Sequence, residues 1–167
     1  SHEFKPNDVL LTEKGIFRRI SIFDAKPSSS TAKIERVDEI DWGLRLQSET
    51  IGNWKGSTFV HVGRSMESFF KNNQIAVLLF KNVVLFGLMK GETKFKLKAS
   101  WLSNEVIFDF SEEYFVDGFA IWTPMGFIHV QFDKTTDGAF LKDNWRKAVQ
   151  EVDLIKQEDE QTKDGFE

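Results

Sequence analysis

GFAIWTPMGFIHVQF, residues 118–132, is the most apolar stretch of the chain and carries four aromatic rings in fifteen residues. Such a density fits a binding surface or the inside of a sheet, and the residues at its centre bear on the choice. Thr123-Pro124-Met125-Gly126 divides the stretch into two strand-like runs. Proline presets φ near about −65° at the second turn position, and glycine favours the fourth. The stretch therefore reads as a β-hairpin. Side chains alternate along a strand, so Ile128, Val130 and Phe132 share one face of the returning strand while Phe127, His129 and Gln131 share the other. Most of the aromatic density is thereby structural. Trp122, Met125 and Phe127, at the turn end, are left as the candidate partner-binding residues.

Working outward, QIAVLLF and VVLFGLM flank Lys81-Asn82, a second hairpin with strands buried on both faces or nearly so. A buried helix competes, but the runs are short, rich in valine and isoleucine, and punctuated by glycine. KFKLKASW alternates strictly, with Lys94, Lys96 and Lys98 on one face and Phe95, Leu97 and Ala99 on the other. Ser103-Asn104 turns the chain into EVIFDF, where Val106, Phe108 and Phe110 share a face. Upstream, GIFRRISIF reads as a strand and Pro27 with Ser28, Ser29 and Ser30 as a loop. TAKIERV and WGLRL read as half-buried strands with Ile34, Leu44 and Leu46 inward. IGNWKGS is expected to be a glycine-rich connection into a strand TFVHVG, and Ser65 to Lys71 a helical turn.

After Phe132 the apolar period changes. Leu141, Trp145, Ala148, Val149, Val152 and Ile155 recur at three- and four-residue intervals, one stripe of an amphipathic helix capped by Asp143 or Asn144. The expected fold is mostly β: a single-domain antiparallel β-sandwich or bent barrel with one C-terminal amphipathic helix, 143–156, and an OB- or Tudor-like barrel with additional strands as the alternative. Residues 1–4, SHEF, read as the remnant of a cloning tag, residues 5–156 as one β-rich domain, and residues 157–167 as a polar, disordered tail.

The whole chain has 167 residues, no cysteine, and a net charge of −4. Its length suffices for a substantial core without staples. The lack of cysteine removes disulfides and thiolate metal sites, and it suits a reducing compartment, so a soluble, intracellular protein of cytoplasm or nucleus is expected. No apolar run approaches the ~18 to 20 residues that span a bilayer. The acidic balance argues against a dedicated phosphate-backbone binder.

Catalytic motifs are missing from the sequence. G-x-S-x-G, G-x-x-x-x-G-K-[ST] and G-x-G-x-x-G do not occur. A zinc site would need His61 and His129 to converge with carboxylates, and strand histidines with hydrogen-bonded rings are the commoner outcome. Asp109, Glu112, Glu113 and Asp117 read as a solvated turn, since EF-hand spacing is absent. Neither a metal nor a cofactor is expected, and no enzyme. Lys94, Lys96 and Lys98, with Lys90, Arg18 and Arg19, form the only basic stripe that could contact nucleic acid, although lysines on an edge strand commonly guard against aggregation. Trp42, Trp54 and Trp101 could offer a sugar platform, but large aromatics in a β domain are core residues first. The sequence is therefore read as a non-enzymatic module that binds a protein partner or a second copy, the helix stripe being one route to self-association. A nucleic-acid-binding barrel and a carbohydrate-binding sandwich are the alternatives.

Overall fold

The computed structural model describes residues 9–21, 32–62, 74–111, 118–132 and 138–164. Its centre is the hairpin of β6 (Gln74–Leu79) and β7 (Val83–Lys90), both buried along most of their length. Continuous apolar runs suit strands covered on both faces, and both faces are covered here. β8 (Lys94–Leu102) pairs antiparallel with β7, and the three-residue β4 (Glu39–Asp41) pairs with β8. On the other side of β6 come the long β5 (Gly52–Val62), then β11 (Gly126–Gln131), β10 (Gly118–Thr123) and β9 (Ile107–Asp109), giving one eight-stranded sheet in the order β4-β8-β7-β6-β5-β11-β10-β9.

β8 is second in that order and β9 is eighth, yet only residues 103–106 separate them in the chain. Six strand spacings would set them about 29 Å apart in a flat sheet. The five Cα steps from Leu102 to Ile107 reach at most about 18 Å. The sheet must therefore curl. A single 3-10 turn, Ser103–Glu105, makes the link, and buried Ser103 pins it: its N–H donates to the Asn82 carbonyl at 2.9 Å and its hydroxyl to the Lys81 carbonyl at 2.9 Å. Among the described residues the edge strands β4 and β9 do not pair, so the curl stays open.

Its concave side holds Trp54, Val77, Phe86, Phe119, Ile121, Ile128, Val130 and Phe132, closed over by α2 (Gly138–Asp164) through Trp145, Ala148 and Val152. A second core lies on the convex side, where Ala76, Leu78, Phe80, Val83, Leu85 and Phe95 meet Leu11 and Ile16 of a smaller sheet, β1 (Val9–Thr12), β2 (Gly15–Ser21) and β3 (Ala32–Val37). β3 and β4 are one strand interrupted at Asp38, and it serves both sheets. The architecture is a β-sandwich with a strongly curled larger sheet and one substantial C-terminal helix.

Four local expectations are corrected. WGLRL is not a strand: Leu44–Glu49 forms the short helix α1 with Gly43 at its N-cap, and Leu46 of the helix packs on the convex core together with Trp42, which precedes it. Ile34 does lie on a strand but is 60% exposed, because alternation along β3 turns it away from the convex core that Val37 of the same strand packs against. IGNWKGS is not a connection; it opens β5. Its glycines make room for neighbours, since a Cβ on Gly56 would lie 2.5 Å from the Trp54 ring and one on Gly52 3.1 Å from the Ala148 Cβ. The helix, finally, begins at Gly138 and runs to Asp164. Asp143 is no cap but pairs within the helix with Lys147 at 3.0 Å and Arg146 at 3.8 Å. The stretch read as the start of a disordered tail continues the helix and is fastened to the β6–β7 turn by Lys81 and Asp159 at 2.7 Å. Ser65 to Lys71 and Pro27 to Ser30 lie outside the described residues.

Candidate functional site

The β10–β11 hairpin is built as its sequence implies. Thr123 Oγ1 accepts from the N–H of Met125 at 3.2 Å and of Gly126 at 3.1 Å, and donates to the Gly126 carbonyl at 3.0 Å. Gly126 has φ of +146°, a conformation that favours glycine. The turn thus holds Met125 outward, 38% exposed.

Pairing across the sheet then aligns side chains into rows on the convex face. One row is Ile107 of β9, Trp122 of β10 and Phe127 of β11. The row below it is Asp109, Ala120 and His129. The two rows differ in burial. Ala120 and His129 are buried, whereas Ile107 is 63% and Trp122 47% exposed. Phe127 is half-buried, its ring centroid 4.7 Å from that of Trp122 and 6.5 Å from that of His129. Of the three candidate residues, Trp122 and Met125 are therefore open to solvent, and Phe127 buttresses Trp122. Ile107 went unassigned in the sequence, although the alternation that turns Val106 and Phe108 inward turns Ile107 outward. Such a surface offers apolar area and aromatic edges rather than proton transfer.

The lysines do not form one row. β8 carries a β-bulge: Gly87 pairs with Leu97 and Phe86 with Ala99, which leaves Lys98 without a partner on β7. Alternation is reset there. Phe95 and Leu97 face the convex core, while Ala99 and Trp101 face the concave one. Nor is β8 an edge strand, since β4 covers it, setting Asp41 opposite Lys94 and Glu39 opposite Lys96. Glu39 also pairs with Lys90, whose hydrogen bond holds its carboxyl below the usual carboxylate range. Arg18, on another strand, pairs with Glu35 at 3.6 Å. Lys90, Lys94, Lys96 and Arg18 thus each have an acid opposite, which weakens the field a phosphate backbone would need. Replacing Lys94, Lys96 and Lys98 with glutamine should change the log-log salt slope of any RNA association by less than about one; a fall of two or three, read by fluorescence anisotropy, would assign the stripe to phosphates.

The remaining candidates are spent on packing. Trp54 is buried edge-on to Phe119 and Phe132, Trp101 lies 5.2 Å from Phe86, and Trp42 is half-buried on the convex core. The helix stripe from Leu141 to Val152 is occupied by the chain's own sheet. His61 pairs in register with Ile128 and His129 with Val60. Among the described residues no three His, Asp or Glu side chains converge on a common point. Asp109 accepts the Ser111 N–H at 2.9 Å, while Glu112, Glu113 and Asp117 lie outside the described residues. No described helix is long and apolar enough to cross a membrane. Neither a known protein family nor a curated protein matches the chain.

Proposed function

We infer that the chain is a non-enzymatic protein-interaction module of an intracellular assembly, with Ile107, Trp122, Met125 and Phe127 as its contact. One observation carries this reading: of two neighbouring rows on the same three strands, one buries Ala120 and His129 while the other leaves an isoleucine and a tryptophan exposed side by side. An exposed tryptophan braced by a second ring is a low-entropy apolar anchor, and such residues dominate binding energy at interfaces. The absence of cysteine is in keeping with a reducing compartment. No comparable observation favours nucleic acid or carbohydrate.

Trp122→Ala should weaken partner binding by at least about 1 kcal/mol, roughly fivefold, while leaving the melting temperature almost unchanged, as for an exposed hot-spot residue. Recovery of the partner on immobilised chain, together with a thermal melt of the same variant, checks both halves. Undiminished recovery would mean that the contact lies elsewhere.

A further inference from the structure

The contact row ends at an open sheet edge, and that edge has its own chemistry. β9 is the last strand of the large sheet and, among the described residues, pairs only with β10. Its outer main-chain N–H and C=O groups are those of an edge strand, a template for an added strand. Edges are commonly guarded by lysine or proline. Residues 103–111 contain neither. Instead the outward position is Ile107, the most exposed large apolar side chain among the described residues, directly beside Trp122. The charges that flank it are acidic: Asp109 on the same face two residues later, and exposed Glu105 in the 3-10 turn that leads into the strand.

We propose that β9 accepts an extended segment of the partner protein as an additional strand, with an apolar side chain against Ile107 and Trp122 and basic side chains against Asp109 and Glu105. This rests on the protein-interaction reading and narrows its partner to a segment in which an apolar residue is flanked on both sides by basic ones. In strand addition the main-chain bonds supply affinity and alternate side chains supply specificity. An acidic segment would set like charges opposite one another, which is destabilising across paired strands.

The test is isothermal titration calorimetry of the whole chain, in low salt, with a capped seven-residue peptide carrying lysine, valine and lysine at alternate positions and threonine between them. Binding is expected, with shifts of the Ile107 and Asp109 amide resonances. Two backbone N-methylated versions, modified at odd or at even positions, should differ: one set binds at least tenfold more weakly and the other is tolerated, because only alternate N–H groups face β9. Glutamate in place of lysine should weaken binding at least tenfold. So should Ile107→Lys, whose melting temperature should stay unchanged. Absence of binding, equal binding of both methylated peptides, or equal binding of the glutamate peptide overturns strand addition. If the peptide fails while Trp122→Ala still weakens partner recovery, the edge proposal is wrong and the contact row stands. If the peptide behaves as expected while Trp122→Ala leaves recovery unchanged, the edge stands and the contact row is wrong.

Discussion

Phe119→Ala is expected to destabilise the fold by about 3–5 kcal/mol, the range for emptying a phenylalanine site in a core. Phe119 is fully buried at the middle of the concave core, and its ring lies 5.1 Å from Phe110, 5.6 Å from Phe132 and from Trp145, and 6.0 Å from Trp54. The site cannot readily collapse, because β10 is held on one side by β9 and on the other by β11. The ring also joins the sheet to α2, so its loss removes contacts on both layers. Urea denaturation of the variant measures the effect; a loss under about 2 kcal/mol would mean that the surrounding rings close over the gap. Because Phe119 faces inward while Trp122, on the same strand, faces outward, the folded fraction of the variant should still bind the partner. Trp122→Ala should do the reverse. The pair separates core from contact on a single strand.

The sequence discloses much of this because strand alternation and turn chemistry are local. Lys81-Asn82 and Thr123-Pro124-Met125-Gly126 mark their turns without help from the rest of the chain, and Ile128, Val130 and Phe132 turn inward as their alternation requires. The same device recurs earlier: Thr12-Glu13-Lys14-Gly15 closes the β1–β2 hairpin with Thr12 Oγ1 accepting the Lys14 N–H at 3.1 Å and Gly15 at φ of +134°. Its resemblance to Thr-Pro-Met-Gly was a usable signal. Without proline it stands out less, and β1 went unassigned.

What stayed hidden depends on distant residues. Trp42-Gly-Leu-Arg-Leu is too short for its alternation to decide between strand and helix, and the convex core that Trp42 and Leu46 cover is a tertiary fact the five residues do not show. Gly52 and Gly56 look like loop punctuation until Trp145, Ala148 and the Trp54 ring are set against them. For the candidate site, alternation gives the face of Ala120, Trp122, Phe127 and His129 but not what lies over that face. Burial of one row and exposure of the next is a tertiary fact, and so is the open edge at Ile107, since strand order cannot be read from a hairpin alone.

Gly87→Ala is expected to cost on the order of 3 kcal/mol, at the upper end of overpacking penalties, because its environment contains backbone rather than a movable side chain. A Cβ there would lie 2.0 Å from the Lys96 carbonyl oxygen and 2.8 Å from Phe95 Cζ. Phe95 is itself fully buried, so neither neighbour can yield without moving β8. The position is where β7 meets the bulge, and the bulge sends Phe95 and Leu97 to one core and Ala99 and Trp101 to the other. Displacing it threatens both cores at once, including the Trp101–Phe86 ring pair. Gly91→Ala is the matched comparison: Gly91 has φ of +61° but no atom within 4 Å of a built Cβ, so its cost should be only the about 1–2 kcal/mol of a left-handed residue. Chemical denaturation of the two variants under identical conditions distinguishes steric from conformational cost. Equal losses, or a Gly87→Ala loss below about 1 kcal/mol, would mean that β7 and β8 can separate at the bulge without disturbing the two cores it divides.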